Sequence, residues 1–290
     1  MEYILHIIIM LSIYVILVLS ANLPVGMANM LTMCQAAFYG IGAYIGTFFL
    51  MQFNLPFIAL AAIVMVATGL FSLLVSFASV KLKDDYFILA TLGFQMIVYT
   101  ILYNWTDVTR GPYGIPGIPS IKLFGVLSLS SVWGYAALAI VLAVLVALLF
   151  NVIKRSPYGR VLKAMRRDEQ AVKALGRNTV MFKVQTFFLS AACSGLAGLI
   201  YASYVSYIDP TSFTLDESIF IITALFIGGI GNIKGPILGA LFVVILPELL
   251  RFVGMPDAIA ANMRQIIYGL ALVIIMFVRP QGLFGEKATK

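Results

Sequence analysis

The sequence predicts an all-α polytopic integral membrane protein with about nine transmembrane helices, in a range of about 8–10, at roughly 20 residues per span. Three observations carry that reading. Of 290 residues, 62% are hydrophobic types, and the 24 glycines bring the apolar share to about 70%, against about 45–50% in a soluble domain. Charged residues are 11%, where a soluble domain has about 25%. The apolar residues also fall into long runs. Because much of any folded surface faces water, a globule of this size has no room to hide them. Soluble enzymes, nucleic-acid modules and disordered chains are excluded, and the net charge of +7 reports where the cytoplasmic loops lie.

The runs follow in order. Residues 4–20 form the first, preceded by Glu2 and by no Lys or Arg, so a retained span is expected rather than a secretory signal. The stretch 21–34 is apolar but broken by Pro24 and Gly26. It reads as a half-helix or re-entrant piece, tolerated only where protein or a water-filled cavity covers it. Runs 35–52, 55–79 and 86–104 follow, then an outer loop over about 105–131 containing Arg110-Gly-Pro-Tyr-Gly-Ile-Pro-Gly-Ile-Pro119, whose Pro and Gly density opposes helix. After run 132–150 comes the polar inner loop 151–183, then runs 184–207, 218–230, 236–250 and 265–279. Run 218–230 is short and ends in a glycine cluster. No linker divides residues 1–290, so a single transmembrane domain is expected.

Nine spans with 151–183 inside place 15 Lys and Arg residues in the cytoplasm and four, Arg110, Lys122, Arg251 and Arg264, outside. That positive-inside bias puts the N-terminus outside and the C-terminus inside.

Small residues at helical spacing recur. Gly40-Ile-Gly42-Ala43-Tyr-Ile-Gly46 echoes Gly235-Pro-Ile-Leu-Gly239-Ala240, either as an internal repeat or as close helix packing without duplication. Candidate packing glycines are Gly42, Gly46, Gly195, Gly198, Gly228, Gly231, Gly235 and Gly239.

The runs contain almost no ionisable residues, so no proton or ion relay is evident. Glu248, Arg251, Arg264 and Arg279 fall near predicted ends, where long side chains snorkel; Glu248 and Arg251 have the spacing of a pair. His6 is the only histidine and Cys34 and Cys193 the only cysteines, so no metal site or His-dependent nucleophile is expected. Uncharged polar residues do occur in the runs. Asn22, Asn29, Thr32, Gln35, Thr91, Gln95 and Thr223 are candidates to line a passage; interhelical hydrogen bonding is the alternative. Gln185, Thr186, Ser190 and Ser194 share that ambiguity.

Segment 159–177 is the most informative. Leu162, Met165, Glu169, Val172 and Leu175 fall at steps of 3 or 4, so one helical face is mainly apolar. Gly176 is placed to end the helix and Pro157 stands just before its start. A basic amphipathic helix on the membrane surface and a helix docking into a groove on a cytosolic partner both fit. The glycine cluster Gly228-Gly-Ile-Gly-Asn-Ile-Lys-Gly235 lacks the phosphate-cradling pattern. No cofactor is expected on this chain, and any ATP used is hydrolysed by another.

Taken in order, these segments resemble a family. Gln35-Ala-Ala-Phe-Tyr-Gly-Ile-Gly-Ala43 and Asp85-Tyr-Phe-Ile-Leu-Ala-Thr-Leu-Gly-Phe94 are followed by Gly111-Pro-Tyr-Gly-Ile115. Then come Tyr158-Gly-Arg with Ala-Met-Arg-Arg-Asp-Glu169 and Ala-Leu-Gly176, Ser190-Ala-Ala-Cys-Ser-Gly-Leu-Ala-Gly198, and the glycine cluster. Over about residues 20–285 the series is similar to the permease subunits of ATP-binding-cassette importers for branched-chain amino acids, of the LivM type. Gln35 departs from it, standing where many members carry His. The resemblance implies a non-enzymatic inner-membrane subunit paired with a second permease, two cytosolic ATP-binding subunits and an extracytoplasmic solute-binding protein. It implies no nucleic-acid partner. It makes 159–177 the coupling helix, with Gly159, Arg160, Met165, Arg166, Arg167, Asp168, Glu169, Ala171 and Gly176 facing or shaping the ATPase contact. Relatives of this fold carry urea, amides, sugars or nucleosides as well as Leu, Ile and Val. A stand-alone secondary carrier or channel matches the hydropathy equally but leaves 159–177 unexplained.

Overall fold

The computed structural model describes residues 1–53, 55–79, 82, 84–123, 127–128, 131–252, 257–279 and 282–284. The order is α1 (Glu2–Asn22), continued by a π-helical turn (Leu23–Met27), α2 (Gln35–Gln52), α3 (Phe57–Ser79), α4 (Asp84–Asn104) and the single turn α5 (Thr106–Thr109). The outer loop adds a 3-10 turn (Gly111–Tyr113) and the short strands β1 (Ile115–Pro116), β2 (Lys122–Leu123) and β3 (Leu127–Ser128). Then come α6 (Val132–Arg155), α7 (Pro157–Arg167), α8 (Glu169–Ala174), α9 (Thr179–Val205), β4 (Tyr207–Ile208), a 3-10 turn (Pro210–Phe213), α10 (Leu215–Gly228), α11 (Lys234–Phe252) and α12 (Asp257–Val278).

Each of the nine apolar runs falls in one long helix, so the protein is an all-α polytopic membrane protein. Among the described residues, five helical stretches are long and apolar enough to cross a membrane by composition alone: Glu2–Met27, Phe57–Ala78, Asp85–Asn104, Val132–Arg155 and Thr179–Val205. Leu74, Phe77, Ile97, Val144 and Val273 point outward and are exposed, as suits helix surfaces solvated by hydrocarbon. The two small strand pairs are antiparallel; pairing of Ile115 with Ile208 ties the outer loop to the end of α9.

Several boundaries move, through caps or through charges at the helix ends. α6 runs past residue 150 to Arg155, its last turn carrying Lys154 and Arg155, where cations complement the helix dipole. Ser156 then caps α7 by accepting the Gly159 N–H at 3.2 Å, and Pro157 is the first residue of that helix rather than standing before it. Asn178 caps α9, accepting the Met181 N–H at 3.3 Å, so α9 begins at Thr179 rather than 184. α10 begins at Leu215 rather than 218, with Asp216 and Glu217 in its first turn. The inner loop 151–183 is therefore mostly helical.

The centre is a close crossing of α2, α9 and α3. A Cβ on Gly42 would lie 2.2 Å from Gly195 Cα, one on Gly198 2.1 Å from the Tyr39 carbonyl oxygen, and one on Gly195 2.4 Å from Thr68 Oγ1. Backbone touches backbone there, which only glycine allows. A second such approach joins α10 to α11, where a Cβ on Gly228 would lie 1.9 Å from the Gly235 oxygen and one on Gly239 1.9 Å from that of Ala224.

Lys81, Lys83, Lys287, Lys290 and residues 124–126 and 129–130 of the outer loop lie outside the described residues, as do the side chains of Arg251 and Arg264 and hence their expected roles. Glu248, one half of the expected pair, accepts a hydrogen bond from the Tyr3 hydroxyl.

Candidate functional site

α1 does not stop at Asn22. Pro24 and Gly26 leave it a wide turn, closed by the Met30 N–H on the Pro24 carbonyl at 2.9 Å. Asn29 then adopts the left-handed conformation, with φ 55°, and residues 28–34 return without helix to Gln35. The expected break is present, and it is covered by protein: Leu23 to Ala28 are all buried.

Three parts of the chain converge on this break. Asn22 reaches across to the glycine cluster between α10 and α11. Its Oδ1 accepts the Gly231 N–H at 2.9 Å, and its Nδ2 donates to the Asn232 carbonyl at 2.7 Å. Gly231 has φ 86°, so a side chain there would strain the turn that Asn22 reads. The C-terminal segment folds onto the same turn, with the Leu283 and Phe284 N–H groups donating to the Ile227 and Gly228 carbonyls at 3.1 and 2.9 Å. From the inner loop, Arg166 Nη1 donates to the Gly26 carbonyl at 2.7 Å. A carbonyl at a helix end has no intrahelical partner, and a guanidinium also complements the dipole there.

Arg166 belongs to a helix pair, not the one helix expected. Asp168 is extended (φ −153°, ψ 103°), because its carboxylate caps α8 by accepting the Gln170 and Ala171 N–H groups at 2.9 and 3.0 Å. Such a cap competes with helix continuation. Gly176, at φ 78°, ends α8: its N–H and that of Arg177 donate to the Lys173 and Val172 carbonyls at 2.9 and 3.3 Å, the double closure of a left-handed helix end. Glu169 joins the pair to α9. It accepts from Thr179 Oγ1 at 3.0 Å, Lys173 Nζ at 2.9 Å and Lys183 Nζ at 2.7 Å. Partial burial alone would raise its pKa; the hydrogen bonds from Lys183 and Lys173 outweigh that and bring it down to about 2.

Leu162, Met165 and Val172 are buried against the chain itself, so this apolar face is spent internally and is not free to lie in lipid. Leu175 departs from the expected face and is 82% exposed. Arg160, Arg167, Asp168, Ala171 and Gly176 are also exposed, whereas Gly159 is buried, with no room for a Cβ beside the Ile153 carbonyl.

The candidate lining residues are dispersed. Gln35 Nε2 donates to Ser20 at 2.6 Å, Ser190 at 3.3 Å and Ser194 at 2.5 Å. Gln95 Oε1 accepts the Ala37 N–H at 2.7 Å, and its Nε2 donates to the Phe213 carbonyl at 2.9 Å. Thr91 accepts the Met33 N–H at 3.1 Å and Thr32 the Cys34 N–H at 3.4 Å. Thr223 is buried on α10. Asn29 alone of the seven borders the cavity of about 170 Å³ that opens between the break, the start of α4, Lys183 and the glycine cluster.

Two features escape the sequence reading. Glu217 lies in the first turn of α10, its carboxylate bonded to the Tyr14 hydroxyl inside the bundle. Acidic residues just before an apolar run were the available signal. Lys183, at 12% side-chain exposure, was counted only as a loop cation. His6 Nδ1 bonds the Tyr204 hydroxyl at 2.8 Å, and both cysteine thiols are free and buried.

Comparison with known proteins bears on these features together. The family described as "Branched-chain amino acid transport system / permease component" matches residues 3–276. The high-affinity branched-chain amino acid transport system permease protein LivM of Salmonella typhimurium is 34% identical over 301 residues, covering 94% of this chain and 68% of its own. The probable LivM of Methanocaldococcus jannaschii is 33% identical over 218 residues, 72% of this chain and 62% of its own. The autoinducer 2 import system permease protein LsrC of Salmonella paratyphi B is more distant, 27% identical over 267 residues, 89% of this chain and 70% of its own. No solved structure matches significantly. With the multi-pass helical architecture and a match over nearly its whole length, the chain belongs to the permease-component family of branched-chain amino acid transport systems.

Proposed function

We propose that this chain is the transmembrane permease subunit of an ATP-binding-cassette importer that moves branched-chain amino acids inward. On this reading it has nine spans in the inner membrane, with its N-terminus outside and its C-terminus in the cytoplasm. It pairs with a second permease, receives substrate from an extracytoplasmic binding protein and is driven by two cytosolic ATPases. Identity of 33–34% to branched-chain permeases, against 27% to the autoinducer 2 permease, supports the substrate class.

One observation carries the mechanism: the Arg166 guanidinium on the Gly26 carbonyl. α7 and α8 present the exposed face an ATPase would grip, and Arg166 is their direct bond to the break in α1. Asn22, one turn before the break, holds the glycine cluster. A displacement of the helix pair is thus delivered to the break and on to the α10–α11 turn. The chain's task is to hold two membrane arrangements whose balance is biased from outside it, so it needs differential contacts and no reactive group.

The test is uptake of labelled leucine into vesicles carrying this chain with its neighbouring permease, ATPases and binding protein. ATP-dependent uptake that disappears when the chain is omitted is expected. Competition by valine and isoleucine then supports the substrate class, whereas competition by urea, ribose or autoinducer 2 alone overturns it. Glu169→Lys and Gly176→Pro should each spoil ATPase association while leaving membrane insertion intact; normal uptake in both would sink the coupling role.

A further inference from the structure

We propose that the cavity beside the break binds a small aliphatic carboxylate from the side on which α7 and α8 lie, and that occupancy holds the carrier in the arrangement described here. The site rests on the permease reading only for calling that side cytoplasmic, and there it makes the accumulated product a brake on its own import.

The walls select the ligand. Val25 and Leu31 of the break, Phe87 of α4 and Ile230 of the glycine cluster are apolar, and among the described residues no carboxylate lines the space. At about 170 Å³ it compares with the roughly 150 Å³ apolar cavity known to accept a benzene-sized guest, which suits a branched four- or five-carbon chain. Two polar groups interrupt the walls. Lys183 spends one hydrogen bond on Glu169, and an ammonium has three donors. Asn29 is exposed at the rim of the cavity, and its amide makes no hydrogen bond among the described residues, so it is available to a ligand. Asn29 is also held left-handed, a conformation that recurs where local geometry serves a ligand. A carboxylate at Lys183, an aliphatic chain against Phe87 and Ile230, and a C2 amino or keto group at Asn29 would satisfy all of these. Branched-chain amino acids and their 2-keto acids share that chemistry.

The location explains the effect. The break, the base of α9 and the glycine cluster all touch the ligand, and these are the parts that a movement of α7 displaces relative to one another. A ligand that fits one arrangement stabilises that arrangement at the expense of others.

The experiment uses the complete transporter in proteoliposomes, with binding protein and labelled leucine outside. The lumen is loaded with isovalerate, 4-methyl-2-oxopentanoate, leucine or leucinamide. The three carboxylates should slow initial uptake, about twofold at a lumenal concentration equal to the dissociation constant, and leucinamide should not. Slowing by leucine alone, or equally by leucinamide, overturns the carboxylate assignment. Leu31→Phe, which takes up cavity volume, should remove the dependence of the uptake rate on the lumenal carboxylate, whatever its basal rate. Thermal unfolding of the detergent-solubilised wild-type complex without binding protein reads the site independently. Isovalerate should raise the transition and leucinamide leave it unchanged, and no shift together with equal rates in all four lumens would overturn the site. A shift with isovalerate in a complex that never takes up leucine would leave the site standing and remove the branched-chain importer reading instead.

Discussion

The α2–α9–α3 crossing and the break in α1 both depend on glycine, but to different ends. At the crossing, Gly42, Gly195 and Gly198 bring backbones into contact, and Gln35 is bound by Ser20, Ser190 and Ser194 within the same layer. At those three glycines the approach leaves no room for an intervening side chain, so the region moves as a unit. At the break, glycine permits turns instead. Separate segments are joined there by hydrogen bonds: Arg166 on Gly26, Asn22 on the 231–232 turn, the C-terminal segment on 227–228. Separate segments meeting beside a cavity are where relative motion costs least. On the proposed reading, the difference separates a rigid frame from the part that an ATPase would shift.

The sharpest way to break this comparison is to overfill each side. Gly42→Leu drives a side chain into Gly195 backbone and should cost more than about 3 kcal/mol, seen as loss of a cooperative thermal transition in detergent. Gly93→Ala is the control, since nothing lies within 4 Å of a Cβ there. A tolerated Gly42→Leu would show the crossing to be no frame at all.

Arg166→Ala should act on coupling rather than on folding. It removes the charged hydrogen bond to Gly26, itself worth about 2 kcal/mol, enough to change a two-state balance at least about tenfold. Uptake should drop accordingly while the complex still assembles and hydrolyses ATP. A fall in thermal stability matching that of Gly42→Leu would erase the distinction between the two regions.

The smallest effect under ordinary conditions is that of pH on the Glu169 clamp. Its folded pKa, about 2, lies below the ordinary 4.5. The stabilisation is therefore complete above about 4.5 and is lost as pH falls through 2. Hydrogen exchange of the α8 amides should be insensitive to this group between about pH 5 and 8 after the intrinsic rate is removed, and protection should fall only in acid. Glu169→Gln should lack that acid step.

Legibility followed the range of the interaction. Apolar runs were readable because hydropathy belongs to single residues and adds along a window. Their ends were less so: α6 runs through Lys154 and Arg155, and α10 starts at Leu215 and takes in Asp216 and Glu217, charges that suit a helix end but break an apolar run. Asp168 was visible as a charge in segment 159–177, yet its role as a cap splits one expected helix into two. The polar residues were hardest. Asn22, Asn29 and Gln35 look alike in an apolar run, but one clamps a turn, one borders a cavity and one is buried among serines.

By itself the sequence determined the membrane class, the positions of the long helices, the break at Pro24 and Gly26, and the amphipathic segment 159–177 with its terminating Gly176. These follow from per-residue hydrophobicity, backbone restriction and local capping, which need no partner. Only the tertiary structure decided that Arg166 meets Gly26, that Asn22 reads Gly231, and that Lys183 borders a cavity. Those pairings join positions 140 and 209 residues apart, and nothing in a local pattern specifies which buried polar group a helix will face once packing has brought it there.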